Sequence, residues 1–393
     1  MPMPRTALFA YGFRPFFLAA GAWAVIAMAT WIAVLAHGAW PSEAMPPATW
    51  HKHEMLFGFV AAALAGFLLT AIPDWTKRRG YGGRPLALLA ATWLLGRLML
   101  APIEGIPDWL AALSDLVFLP ALLATVAPSL WKSRRLRNLP LPLILASLFV
   151  ANLLVHGEQV GLDMASADRG LRLGINTMLV AVALIGGRIV PSFTGNALRG
   201  RGMAVAAPFW PWLDPAAVAV LLAVLAGDVI APESPLAGGL ALLAALLHGL
   251  RLARWHGHRT LGQPILWVLH LAYLWLPIGL GLKAWWLLGG AAIAQNWVHA
   301  LTIGGFATMI LAVMTRASLG HTGRAILADR PTLATYLLVT LAAVIRVFGP
   351  AAPWLDGLLG AQLAGAAWIA AFGLFTARYA PILVMARADG RPG

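Results

Sequence analysis

The chain has 393 residues, of which 60% are hydrophobic and only 11% charged. An ordinary globular domain carries about 25% charged residues, so water is not the main solvent of this one. The net charge of +13 would point to nucleic acid in a soluble protein, but the cations sit in short loops between apolar runs and read as topology signals. There is no Cys, which excludes disulfides, thiolate-bound zinc, iron-sulfur clusters and thiol nucleophiles.

Runs of roughly 20 apolar residues mark membrane-spanning helices. Twelve are expected, over 16–37, 50–72, 85–101, 108–131, 139–158, 170–191, 209–230, 236–254, 264–288, 294–316, 331–348 and 355–386. The first run continues too far for a cleavable signal and reads as a true first span. Pro102, Pro107, Pro140, Pro191, Pro232, Pro264 and Pro331 fall at boundaries, where a missing backbone donor matters least. The expected fold is all-α, a single integral-membrane domain over 1–393. Of the 28 cations, 22 fall on one side of alternating spans, from Arg5 and Arg14 through Arg134, Arg135 and Arg137 to Arg387 and Arg391. Cytoplasmic loops collect Lys and Arg, so both termini are expected inside, in an inner membrane.

Six cations break this sorting: Lys52, Arg97, Arg169, Arg172, Lys283 and Arg346, all at or just within the outer helix ends. They either snorkel to lipid phosphates or share an anionic partner. Arg97, Arg172 and Arg346 sit about one turn inside, where an unpaired guanidinium is costly, and haem propionates would supply the charge.

Histidines share the bias, with His37, His51, His53, His156 and His299 near the outer ends. In WHKHEM (50–55), His51 shares a helical face with Glu54 and Met55 while His53 points away, so one motif can serve two sites. His51 with Met55 suits copper, unless Met55 only packs; His53, with Gly58 five residues on, suits haem. NWVHALTIGGF (296–306) repeats the His-to-Gly spacing with His299 and Gly304, which makes His53 and His299 candidate axial ligands. Asn152 and His156 share a face, and Asn176 lies at similar depth. On the inner side, His256 and His258 read as solvated, His270 as an intramembrane candidate, and His321 as part of a turn in TRASLGHTGR. Asp115 and Gln362 are the deeper polar groups, read as hydrogen-bonding across helices. There is no GxxxxGK[ST], GxGxxG or GxSxG motif, so nucleotide-driven chemistry is not expected.

GFRPFF (12–17), WHKHEMLFGF (50–59), NLLVH (152–156), LRLGINTMLVAVALIGGRIVPSFTGN (171–196), LHLAYLW (269–275) and HALTIGGFATMILAVMTRASLGHTGR (299–324) together make the chain resemble the NnrS family of bacterial membrane proteins. The resemblance implies a haem- and copper-containing protein of about twelve helices. It would relieve nitrosative stress, often beside denitrification, with haem b and copper as cofactors and nitric oxide or a related nitrogen species as partner. Its motif histidines are His51, His53, His156, His270, His299 and His321, with no division between haem and copper implied. The electron donor stays open, as does the choice between turnover and simple binding. Two other readings compete: a secondary transporter, whose site would lie at the midplane, and a non-catalytic haem-based sensor or sink.

Overall fold

A computed structural model describes residues 6–40, 45–133, 138–163, 165–203 and 210–391. Arg5, Arg134, Arg135 and Arg137 of the cation tally lie outside the described residues, as does the expected start of the seventh span at 209. The described residues are helical, with no strand among them. Among the described residues, eleven helices are long and apolar enough to cross a membrane: α1 Phe13–His37, α2 Pro47–Thr76, α4 Asp108–Ser133, α5 Pro140–Gln159, α6 Ser166–Arg199, α7 Leu213–Ile230, α8 Pro235–Ala253, α9 Pro264–Leu287, α10 Ala292–His321, α11 Arg330–Ala351 and α12 Gly357–Val384. The twelfth, α3 Arg84–Met99, is 16 residues long. This is a multi-pass membrane protein, and the twelve expected segments are the twelve helices.

Local chemistry sets the ends. Prolines open α5, α8 and α9 within the first turn, where their missing N–H and fixed φ cost nothing. The Asp329 carboxylate accepts the Thr332 N–H at 3.0 Å and its hydroxyl at 2.6 Å, capping α11. Gly38 ends α1 in the left-handed conformation and donates its N–H to Val34 O at 2.8 Å. Pro191, expected at a boundary, instead lies inside α6, which continues to Arg199. The carbonyl that its ring crowds belongs to Gly187, and the space a side chain would take there is filled by the Arg251 guanidinium.

Large apolar side chains point outward along the helices, among them Leu88, Leu143, Leu236 and Leu246, each more than 60% exposed. Such a surface is unfavourable in water and ordinary against lipid.

The chain divides into two compact units. The first holds residues 1–174, 314–326 and 372–393, and the second 175–313 and 327–371. Within the first unit, α2 is the enclosed helix: 83% of its most apolar stretch is buried, against 28% for α1. The start of α1 and the end of α12 meet there. Ala7 N donates to Val384 O at 2.7 Å, and the buried Arg14 guanidinium donates to Leu383 O at 3.0 Å and Met385 O at 2.6 Å. The start of α1 and the end of α12 therefore share one side, as an even number of crossings requires.

Both units contain a wide helical turn. Residues Glu54–Val60 in α2 and Ala300–Ala307 in α10 are π-helical, and each run begins directly after a histidine, His53 or His299. Such turns cost regular hydrogen bonding and cluster at functional positions. In α2 the disturbed backbone is repaired from outside, with Trp93 Nε1 donating to Gly58 O at 3.0 Å.

Candidate metal centre

Six side chains from four helices of the first unit meet around Asp115. His53 and Glu54 come from α2, Arg97 from α3, Asp115 from α4, and Asn152 and His156 from α5; all are buried. The two imidazoles are arranged alike. His53 Nδ1 lies 3.0 Å from Glu54 Oε1, and His156 Nδ1 lies 2.6 Å from Gln159 Oε1. Their other nitrogens turn to one carboxylate oxygen, Asp115 Oδ2, at 3.2 Å for His53 and 2.9 Å for His156.

An Nδ1–H held by a carboxylate or carbonyl oxygen fixes the tautomer and leaves Nε2 with its lone pair, which is how metal-binding histidines are prepared. His53 Nε2 also faces Asn152 Oδ1 at 2.8 Å, while Asn152 Nδ2 donates to Asp115 Oδ2 at 2.7 Å. Its prepared lone pair therefore confronts two oxygens. One positive species, a proton or a metal ion, removes that conflict.

The charge balance points the same way. Arg97 Nη1 donates to both oxygens of Glu54, at 2.7 and 2.6 Å, and Nη2 donates to Asp115 Oδ1. Trp23 Nε1 adds a donor to Glu54 Oε2 at 2.7 Å. Two carboxylates and one guanidinium leave one negative charge in a space closed to water, where uncompensated charge is expensive. His53, Asp115 and His156 each offer a ligand atom, and these atoms all lie within 4.8 Å of one another. Two imidazoles and a carboxylate form a donor set for iron, zinc or copper(II) rather than for the softer copper(I).

The same geometry tests haem at His53. Both ring nitrogens are closed by side-chain oxygens within 3.2 Å, and the residue is 0% exposed. These residues fit a single cation and do not fit a porphyrin.

The other expected residues are dispersed. His51 stacks on Trp31, with ring centroids 4.6 Å apart, outside the Asp115 cluster. His321 packs against Phe13 among the joined chain ends, and its carbonyl accepts from Arg387 Nη1 at 2.7 Å. In the second unit His270 Nε2 lies 2.8 Å from Thr194 Oγ1, His299 is half-buried before its wide turn, and Arg346 Nη1 donates to Asn296 Oδ1 at 3.2 Å. Arg172 is half-buried on α6.

Several cations that break the charge rule find anions within the chain. Arg97 has Glu54 and Asp115, Lys283 has Asp228, Arg169 has Asp163 at 3.0 Å, and Lys52 has Asp168 at 4.0 Å. For Arg97, the anionic partner expected of a propionate is supplied by two protein carboxylates. The second unit also holds a group that sequence reasoning missed, in which the buried Arg251 joins the exposed Asp214 at 2.5 Å and the buried Tyr273 at 2.8 Å, and the Tyr273 hydroxyl meets the buried His248 Nδ1 at 2.7 Å. Arg251 sits on the α8 face one turn from His248, a spacing that could have flagged the pair.

Fold and site together define a multi-pass helical membrane protein with a buried cluster of two imidazoles and a carboxylate inside its spans. The chain belongs to the NnrS family, whose model, described as NnrS protein, matches residues 7–387. No curated protein matches it.

Proposed function

We propose that this protein is a metal-dependent inner-membrane protein that binds or turns over nitric oxide and so relieves nitrosative stress. The observation that carries the reading is the pair of prepared Nε2 atoms converging on Asp115 Oδ2. His53, His156 and Asp115 would hold the ion, and copper, implied by family membership, fits this donor set as copper(II). Bound there, a redox metal would supply one-electron chemistry and an open coordination position for a diatomic gas.

The chain's own residues do the rest. Glu54 and Gln159 hold the imidazoles in orientation, Arg97 keeps both carboxylates in place, and Asn152 donates to the carboxylate oxygen shared by the imidazoles. Burial excludes bulk water, so a small uncharged ligand enters at less cost than an ion. Haem b, also implied by the family, is assigned to motif histidines other than His53.

The test is metal and haem analysis of the purified full-length protein beside His53→Ala, His156→Ala and Asp115→Asn, with anaerobic nitric oxide consumption measured on the same samples. All three variants should lose a bound transition metal together, and the consumption with it. Folded variants that all keep wild-type metal content would end the assignment.

A further inference from the structure

The Arg251 group of the second unit takes no part in metal binding at Asp115, and its hydrogen bonds run in a definite direction. Tyr273 on α9 is 0% exposed, with its hydroxyl 2.7 Å from His248 Nδ1 and 2.8 Å from Arg251 Nη1, both on α8. A guanidinium only donates, so Arg251 gives a hydrogen to the phenol oxygen. His248 Nε2 faces Ala217 O at 3.2 Å, and a carbonyl only accepts. In the neutral ring Nε2 therefore carries the hydrogen and Nδ1 keeps its lone pair. The phenol O–H points at a base.

A buried hydroxyl is satisfied by one partner. Tyr273 has two, and one of them can take its proton along a bond that already exists. The charge beside the phenol is balanced in advance, because Arg251 Nε donates to Asp214 Oδ1 at 2.5 Å. Trp255, just beyond the end of α8, lies against the phenol with ring centroids 4.5 Å apart. The Arg251 guanidinium stands over both rings, 5.4 Å from the indole centroid and 5.9 Å from that of the phenol. Trp255 is 8% exposed, so the indole has an edge at the surface that the phenol lacks.

We propose that Tyr273 is a redox-active tyrosine, which gives an electron through Trp255 to a one-electron oxidant while its proton passes to His248. A phenol keeps its proton up to about pH 10, and losing an electron makes it a strong acid, so electron and proton leave together only where a base is already in place. The oxidant is a neutral oxidising radical that leaves as its anion, as nitrogen dioxide leaves as nitrite. A neutral radical dissolves in lipid, whereas an ion sheds its hydration at high cost. In the step the phenol O–H bond breaks, an Nδ1–H bond forms on His248, and the electron reduces the oxidant. Tyr273 becomes a neutral phenoxyl radical beside an imidazolium whose other N–H rests on Ala217 O. Arg251 is a positioning residue that holds the phenol oxygen. The inference rests on the second unit alone and is independent of any metal at Asp115.

The experiment uses full-length protein in detergent, oxidised with nitrogen dioxide generated by pulse radiolysis of nitrite. The sample is frozen after a delay in which phenoxyl radicals at the surface decay, and read by electron paramagnetic resonance. Wild type should show a persistent tyrosyl radical. The chain has five tyrosines, so its source is assigned by two variants. Tyr273→Phe should lose the signal, and Tyr379→Phe, at a position 1% exposed, should keep it. His248→Gln retains a hydrogen-bond acceptor but cannot take the proton, and should lose the persistent radical while unfolding at a temperature near that of wild type. Fluorotyrosine placed at position 273 keeps the phenol and its contacts, and should add a fluorine splitting to the spectrum, an assignment that does not depend on the folding of Tyr273→Phe. The proposal is overturned if wild type gives no persistent tyrosyl radical, if fluorotyrosine at 273 leaves the spectrum unchanged, or if folded His248→Gln forms the radical with the yield and lifetime of wild type.

Discussion

His53 and His156, 103 positions apart in the sequence, reach the same oxygen of Asp115 at 3.2 and 2.9 Å. Two imidazoles converging on one carboxylate oxygen make Asp115 the centre of the cluster. Asp115→Asn keeps the volume and removes the charge, and is expected to lower bound metal by about tenfold or more. Elemental analysis at matched protein concentration measures this; an unchanged metal-to-protein ratio would assign the ion elsewhere.

Among the described residues Arg97 is the one guanidinium in the cluster, and both carboxylates pair with it. Removing one partner of a buried ion pair costs about 3–5 kcal/mol, because the other charge stays behind. Arg97→Gln should therefore destabilise the protein by that order in detergent unfolding. Arg97→Gln with Glu54→Gln should cost less than the sum of the two single changes. Strict additivity would show that the two side chains do not interact as the geometry has them.

Gly58 leaves room for the wide turn of α2. A Cβ there would stand 2.5 Å from Trp23 Nε1 and 2.8 Å from Glu54 Oε2, closer than atoms pack. Gly58→Ala should cost about 1–3 kcal/mol by overpacking. It should also loosen metal binding through Glu54, a second readout that distinguishes this position from an ordinary packing site.

Outside the spans, the Arg387 guanidinium holds the Asp389 carboxyl down to about 2, through bonds of 2.9 Å from Nε and 2.6 Å from Nη2. The ordinary value is about 3.9. A carboxyl depressed by folding stabilises the tail above its unfolded pKa and stops doing so as pH falls through the folded one. Acidification from about pH 4 toward pH 2 should therefore release the tail. The Ala388 amide, which donates to Thr322 O at 2.9 Å, reports this by hydrogen exchange. Asp389→Asn should remove the pH dependence of its protection.

Much of the architecture was legible because lipid imposes long apolar runs, and every expected span from 16–37 to 355–386 is a helix. Pro191 was misread because proline marks a boundary only when the backbone before it cannot yield. The site was half legible. His53 and His156 stood out as imidazoles gathered near the outer helix ends, but Asp115 read as a simple cross-helix hydrogen bond, since nothing in one sequence says that α2, α4 and α5 converge. Arg97 and Lys283 were visible as charges on the wrong side of the rule. Their partners Asp115 and Asp228 were not, because ion pairing between spans depends on helix rotation, which periodicity alone leaves undetermined when a helix is apolar all round.

The clasp of Arg14 on the last helix has a consequence for biosynthesis. Its carbonyl acceptors are made 368 to 371 residues later. At ordinary elongation speeds of about 5–20 residues per second, that is a wait of roughly 20 to 75 s. The opening span must remain provisionally lodged while every other helix is threaded, and its docking is the closing act of assembly. A ribosome that stops short of Leu383 would release a nascent polypeptide in which Arg14 lacks these carbonyl acceptors.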